Sequence, residues 1–95
     1  MDHKEMKEAH KYSLSNREAL RKSALCGCFH CLKIFPPEEI QEWIRDKNGQ
    51  TALCPYCGID AVIGDSSGYA ISTAFLENMK EYWFESHLPK MEWMV

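Results

Sequence analysis

The 95-residue sequence lacks any long apolar run. A helix that crosses a bilayer needs about 20 consecutive apolar residues. A secretory signal needs an apolar segment close to the N-terminus, where this chain has the charged run Met1-Asp2-His3-Lys4-Glu5. We therefore expect a cytoplasmic protein that contacts no membrane.

The sequence also lacks an excess of basic charge, since 11 Lys and Arg residues face 14 Asp and Glu residues, giving a net charge of −3. Residues 1–25 carry six basic and four acidic residues, whereas residues 26–95 carry five basic and ten acidic residues. An acidic surface repels the phosphate backbone of nucleic acids. We therefore expect a protein partner of unknown identity and disfavour nucleic acid as a partner.

A catalytic arrangement of histidines is missing as well. His3, His10 and His87 show no metal-ligand spacing, and each is predicted at the surface or at a helix end. The segment 64–68, Gly-Asp-Ser-Ser-Gly, has the spelling of a nucleophile elbow, but only His87 follows it and the chain is too short for an α/β-hydrolase sheet. The segment is predicted to be a turn. We predict no catalytic residue and expect no enzyme activity.

Cysteine, by contrast, is plentiful for a chain of this length. Five cysteines occur in 95 residues, a size at which a hydrophobic core alone gives marginal stability and a metal or disulfide is needed. In the reducing cytoplasm paired cysteines favour metal binding over structural disulfides, and an odd number fits a closed disulfide framework poorly. Metal binding is the leading interpretation.

Four of the cysteines form two Cys-x-x-Cys pairs, Cys28 with Cys31 and Cys54 with Cys57. A two-residue gap lets the backbone turn so that both sulfurs reach one ion at about 2.3 Å. We predict that Cys28, Cys31, Cys54 and Cys57 bind one zinc ion per chain, with iron an alternative in the same site. Four protein ligands leave no position for water, which predicts a structural rather than a catalytic ion.

The fifth cysteine and the histidine inside the first pair are weaker candidates. Two alternatives stay open for Cys26, namely that it replaces Cys28 as a ligand or donates a hydrogen bond to a ligand sulfur. The favoured interpretation is a partly buried free thiol. His30 is predicted to project away from the ion into solvent.

The second pair, Cys54-Pro55-Tyr56-Cys57-Gly58, resembles the second knuckle of zinc-ribbon and rubredoxin-like proteins, whose paired knuckles lie on β-hairpins. The first pair has Leu32 where glycine is usual in such knuckles. Between Ser15 and Phe84 the chain is also similar to a family of small bacterial cytoplasmic proteins, which implies no activity. The residues that carry this similarity are Cys26–Cys31, Phe35-Pro36-Pro37, Trp43, Cys54–Asp60, Ile63-Gly64-Asp65 and Tyr82-Trp83-Phe84.

The same second pair has the letters of the glutaredoxin redox motif, so a dithiol oxidoreductase using Cys54 and Cys57 is an alternative. A redox cysteine works because a helix N-terminus stabilises its thiolate. Gly58 and a β-branched, turn-rich segment follow Cys57, so no helix is predicted there. This alternative is the least favoured one.

The predicted fold class is α+β, a small zinc-stabilised domain with two knuckles, a β-hairpin or three-stranded sheet, and flanking helices. Residues 1–25 form an N-terminal helical segment, residues 26–88 the knuckle domain and residues 89–95 a C-terminal tail. The N-terminal segment contains one or two helices, with a capping box formed by Ser15 and Glu18.

The other predicted elements follow from local patterns. Pro37 near the start and Asn48-Gly49 at the end predict a helix over Pro36–Gly49. Short β-compatible runs cover 50–53, 59–63 and 69–71. A last helix begins after Ser72. Its apolar stripe consists of Phe75, Leu76, Met79, Tyr82 and Trp83.

The predicted function is that of a small cytoplasmic structural-zinc protein, acting as a protein-interaction or regulatory module. Either its acidic surface or the tail bearing Trp93 would contact the partner. The alternative is a nucleic-acid-binding zinc ribbon that uses its basic N-terminal residues. Those residues are Lys4, Lys7, Lys11, Arg17, Arg21 and Lys22.

Overall fold

A computed structural model describes residues 3–85 of the chain. The N-terminal segment contains α1 (His3–His10), a 3-10 turn (Lys11–Ser13) and α2 (Arg17–Arg21), which confirms the prediction of one or two helices. The predicted capping box is wrong, because the residue before α2 is Asn16 and not Ser15. Ser15 has a φ of 47° and donates a hydrogen bond from its hydroxyl to Asp46 at 2.9 Å.

The predicted helix over Pro36–Gly49 is also wrong. The segment forms a 3-10 turn (Pro37–Glu39), then strand β3 (Trp43–Asp46), which pairs antiparallel with β4 (Gly49–Ala52). Tryptophan and isoleucine favour strands, and Asn48-Gly49, which spans the end of the turn and the start of β4, is a signal that hairpins share with helix ends. The Asp46 carboxylate fixes the turn by accepting hydrogen bonds from the backbone N–H of Asn48 and the hydroxyl of Thr51.

A three-stranded antiparallel sheet lies beside this hairpin, with β1 (Cys26–Cys28) between β2 (Ile34–Phe35) and β5 (Val62–Gly64). The run 50–53 falls in β4 as predicted, but the run 59–63 forms a strand only from Val62 onward, and 69–71 forms none. Tyr69 instead stacks its ring on Phe75, with 5.4 Å between the centroids. The predicted turn at 64–68 is confirmed, since Asp65–Ser67 is a 3-10 turn.

Helix α3 (Thr73–Lys80) covers the three-stranded sheet. The Ser72 hydroxyl accepts a hydrogen bond from the Phe75 N–H at 3.1 Å and caps the helix as predicted. Leu76 packs so closely on Gly27 of β1 that a Cβ there would lie 2.8 Å from its Cδ1, so a larger residue at this crossing would require the Leu76 side chain to shift. The helix continues into a π-helical turn (Glu81–Glu85).

These elements confirm the α+β fold class, with three helices and two small antiparallel sheets. No helix within residues 3–85 combines the length and apolar character needed to cross a membrane. The tail 89–95 and His87 lie outside the described residues. The core consists of Met6, Ala9, Leu20, Cys26, Cys28, Phe29, Phe35, Ile40, Ala52, Cys54, Ala61, Val62, Ile63, Phe75, Leu76 and Met79.

Asn16 joins the helical segment to both sheets. Its side chain is buried, with 2% of the residue exposed. The amide NH2 donates to the carbonyls of Val62 at 2.8 Å and Tyr12 at 3.1 Å, and the amide oxygen accepts from the N–H of Ala52 at 3.1 Å. One asparagine therefore satisfies backbone groups at β5, at β4 and at the end of the first helical segment.

Replacing Asn16 with alanine should destabilise the protein because it leaves buried backbone groups of Val62 and Ala52 without partners. Each such group costs about 1–3 kcal/mol, so we expect the free energy of unfolding to fall by about 3 kcal/mol. Urea denaturation of the metal-loaded protein measures this. The control is Asn78→Ala, at a half-buried position on α3. An equal loss of unfolding free energy in both variants would contradict the bridging role of Asn16.

Candidate metal centre

The two Cys-x-x-Cys segments fold into knuckles of the same backbone geometry. In the first knuckle, the N–H of Leu32 donates to the carbonyl of Cys28 at 2.8 Å. In the second, the N–H of Gly58 donates to the carbonyl of Cys54 at 2.9 Å. β1 ends at Cys28 and β4 ends two residues before Cys54, so each knuckle is attached to a different sheet.

The residue that closes each knuckle has a left-handed backbone. Gly58 has a φ of 81° and Leu32 a φ of 70°. Only glycine adopts this region without strain, and other residues pay about 1–2 kcal/mol for it. Leu32 is held there by the knuckle hydrogen bond and by packing of its side chain on the core, so the unusual residue at this position leaves the knuckle geometry unchanged.

The knuckles bring all four predicted ligands together. The Sγ atoms of Cys28, Cys31, Cys54 and Cys57 lie within 4.8 Å of one another. Cys28 Sγ is 3.6 Å from Cys57 Sγ, and Cys31 Sγ is 3.7 Å from Cys54 Sγ. A tetrahedral ion with metal–sulfur bonds of about 2.3 Å requires sulfurs separated by about 3.8 Å. The four cysteines are therefore positioned to bind one metal ion.

Backbone N–H groups point at the first sulfur of each knuckle. The N–H of His30 donates to Cys28 Sγ and the N–H of Tyr56 donates to Cys54 Sγ, each at 3.3 Å. Burial opposes ionisation at Cys54, but the N–H groups of Tyr56 and Cys57 outweigh it and lower the pKa of that thiol. Burial dominates at Cys28 and raises its pKa. A bound cation stabilises the deprotonated form of Cys28, and cysteine binds a metal as the thiolate.

The site is closed on the protein side. Cys28 and Cys54 are buried, whereas Cys31 and Cys57 are half-buried and face outward. A metal ion held by four sulfurs has no free position for water or substrate. This donor set suits a structural ion.

Cys26 stands apart from this cluster. Among residues 3–85 the ligand group comprises the other four cysteines. Cys26 is fully buried, its Sγ donates to the carbonyl of Phe35 at 3.3 Å, and burial raises the pKa of its thiol to about 12. The free-thiol interpretation is confirmed, with the thiol more deeply buried than predicted.

The prediction that His30 points into solvent is wrong. Its Nδ1 is buried without a hydrogen-bond partner within the described part of the chain, and its ring meets the edge of Phe84 at 4.9 Å. The end of the α3 segment therefore covers the first knuckle. No local sequence pattern indicates this contact directly. Trp83 likewise lies 4.2 Å from the His10 ring, and burial lowers the pKa of that histidine. The sequence signal that could indicate this packing is the apolar run that extends the α3 stripe.

The structural requirement for the redox alternative is not met at Cys54. Residues 53–61 are all described and form a turn with no helix, so no helix N-terminus lies at the second knuckle. Cys54 instead contacts Cys31 of the opposite knuckle. Cys54 therefore lies in the four-sulfur cluster and not at a helix N-terminus.

No protein-family model, no curated protein and no solved structure matches the chain. The similarity to small bacterial cytoplasmic proteins therefore stays a prediction. The metal centre stands on its own geometry, in which two equivalent knuckles place four sulfurs at tetrahedral separations.

Removing the metal should unfold most of residues 26–71. Metal binding by small cysteine sites releases ~10–16 kcal/mol, comparable to the ~5–15 kcal/mol net stability of a domain. We expect Cys54→Ser, or a strong chelator, to abolish the cooperative melt followed by circular dichroism. Cys26→Ser is the matched control, because its hydroxyl can still donate to Phe35 and all four ligands remain, so it should still melt cooperatively. A cooperative melt of the metal-free chain would contradict this expectation.

Gly58→Ala should lower the free energy of unfolding of the metal-loaded protein by about 1 kcal/mol, because alanine is strained at a positive φ. No atom lies within 4 Å of the added methyl, so the loss reports backbone strain alone. Leu32→Gly is the comparison. It relieves strain but removes packing, so we expect a smaller change there. Unchanged stability of Gly58→Ala would show that the second knuckle does not hold this conformation.

Proposed function

We propose that this chain is a small cytoplasmic protein in which one structural zinc ion fixes the scaffold and the acidic surface around the second knuckle binds a partner protein. The observation that carries the proposal is the closed four-sulfur cluster, which leaves the metal no catalytic position. Such a site contributes by holding a surface in one conformation. We propose no enzyme activity.

Zinc is the proposed metal because it accepts four thiolates in a tetrahedron without a redox change. Iron binds the same donor set, so metal analysis of the purified protein decides between them. The expected result is one zinc per chain.

Charge favours a basic partner. Residues 26–95 carry five basic against ten acidic residues. Zinc bound by four thiolates adds two further negative charges to this part of the molecule. An acidic surface of this kind attracts basic protein segments and speeds their association.

The second knuckle presents the surface best suited to a partner. Tyr56 is 54% exposed, and its ring is positioned by Phe35, at 5.6 Å between the centroids, and by the hydrogen bond from its hydroxyl to Glu39. Exposed aromatic rings held in one orientation are favoured interface anchors. Beside the ring is a hollow of about 300 Å³. It is lined by Gln41, Glu42, Leu53, Cys54, Pro55, Tyr56 and Gly58.

The nucleic-acid alternative is weakened by how the basic N-terminal side chains are used. Lys11 pairs with Glu8 at 3.1 Å and Arg21 pairs with Glu18 at 2.9 Å. Arg17 lies 4.8 Å from the Trp43 ring centroid and also donates a hydrogen bond within the protein. Three of the six basic residues of this segment therefore have intramolecular partners, which reduces what they offer to phosphates.

Site-specific photocrosslinking in the source cells tests the proposal. A photoreactive phenylalanine analogue replaces Tyr56 in one variant and exposed Glu77 on α3 in a control. We expect one defined basic protein to be captured from position 56 but not from 77, and expect Glu42→Gln to weaken the capture. The same proteins captured from both positions would contradict the proposed surface, and capture of RNA or DNA would favour the alternative.

A further inference from the structure

We propose that Cys31 and Cys57 are sites of oxidation by hydroperoxides, and that each is resolved by a buried sulfur of the opposite knuckle, so that oxidation releases the metal. This inference rests on the proposed structural zinc. It names a covalent modification of the same site and the pairing of cysteines that results.

The exposed fraction of each residue divides the four cysteines into two kinds. Cys31 and Cys57 are half-buried, and each is the second cysteine of its knuckle. Cys28 and Cys54 are buried, with 0% and 3% of each residue exposed, and each receives a backbone N–H. Oxidation of cysteine follows thiolate character and solvent access. A small oxidant in solution therefore reaches Cys31 and Cys57 first.

Each outward sulfur has a buried partner in contact across the site. Cys57 Sγ lies 3.6 Å from Cys28 Sγ, and Cys31 Sγ lies 3.7 Å from Cys54 Sγ. A disulfide needs a sulfur–sulfur bond of about 2.05 Å, so each pair must close by about 1.6 Å. A backbone N–H from its own turn donates to each buried sulfur, and the contacts of 3.6 and 3.7 Å pair each buried sulfur with the half-buried one of the opposite knuckle. The resulting disulfides join the knuckles as Cys28–Cys57 and Cys31–Cys54.

The chemistry at each pair is a two-step oxidation. The outward thiolate attacks one peroxide oxygen, the O–O bond breaks, hydroxide leaves, and the sulfur becomes a sulfenic acid. The buried thiolate then attacks that sulfur, the S–O bond breaks, a second hydroxide leaves, and the S–S bond forms. Each pair loses two electrons to one hydroperoxide, and the hydroxides take up protons to become water. With all four sulfurs in disulfides, the zinc ion has no thiolate ligand and leaves as Zn²⁺.

Cys26 provides an internal reference for this reaction. It is fully buried, its thiol donates to the Phe35 carbonyl, and it lies outside the ligand cluster. Neutral buried thiols resist oxidation because the thiolate is the nucleophile. Because the two disulfides join the knuckles in place of the ion, Cys26 stays buried in the oxidised protein and should remain the single reduced cysteine.

The test is oxidation of the zinc-loaded full chain with hydrogen peroxide. Zinc content is measured before treatment, and a zinc-sensitive dye follows release. We expect one zinc released per chain for two peroxides consumed, with loss of four of the five alkylatable thiols. Cys26→Ser is the matched control and should release zinc in the same way. Full retention of zinc under excess peroxide would overturn the inference.

Mapping the disulfides makes the test specific. Phe29 lies between Cys28 and Cys31, and Tyr56 lies between Cys54 and Cys57. Digestion with trypsin and chymotrypsin without reductant therefore places each of the four ligands on its own peptide. Mass spectrometry should show Cys28 linked to Cys57 and Cys31 linked to Cys54. Cys26 and Cys28 share one peptide, so fragment-ion spectra, and the same digestion of Cys26→Ser, assign the link to Cys28. Links within a knuckle, or a link to Cys26, would overturn the proposed pairing.

A second variant separates the inference from the proposed zinc site. In Cys57→His, an imidazole replaces one outward sulfur as a zinc ligand. We expect zinc to be retained before oxidation and only the Cys31–Cys54 disulfide to form afterwards. A parent chain that holds no metal before treatment overturns both the proposed function and the inference. A zinc-loaded parent that fails the mapping overturns the inference alone.

Discussion

The structure depends on the convergence of four sulfurs from two segments that lie far apart in sequence. The first knuckle follows β1 of the three-stranded sheet, and the second follows the β3–β4 hairpin. Strands of two to four residues and two small sheets bury too little apolar surface to hold this arrangement by themselves. Burial raises the pKa of Cys28, and a bound cation favours its thiolate form. A metal ion held by the four cysteines would therefore join the two sheets at this end of the domain.

Asn16 performs a related task close to the knuckles, since it bonds to Val62, which pairs with Cys28, and to Ala52 at the end of β4. Its amide links β4 and β5 through backbone groups that would otherwise be buried without partners. The two sheets are thus joined twice, by thiolate ligands at the knuckles and by a buried amide beside α2. The connection at the knuckles needs a bound ion, whereas the connection through Asn16 depends only on the position of the helical segment.

The metal ligands and the α+β class could be predicted from the sequence because both depend on local patterns. Cys-x-x-Cys spacing encodes the knuckle itself, and the α3 stripe encodes one buried face. Asn48-Gly49 predicts a helix end as readily as a hairpin, because glycine terminates helices and also forms tight turns. Only pairing with the partner strand distinguishes the two structures. The cap before α2 was misplaced by one residue because Ser15 bonds to the distant Asp46. The cover over His30 depends on tertiary packing of Phe84, which no local pattern encodes.

The contact between the two ends of the described chain has a consequence for folding. Trp83 donates its indole N–H to the carbonyl of Met6 at 3.1 Å, across 77 residues of sequence. Closing so long a loop carries an entropy cost that grows with loop length and slows the formation of distant contacts. A metal ion bound by both knuckles would shorten that loop by closing residues 28–57. Such an ion would therefore lower the entropy cost of docking the first and last helices.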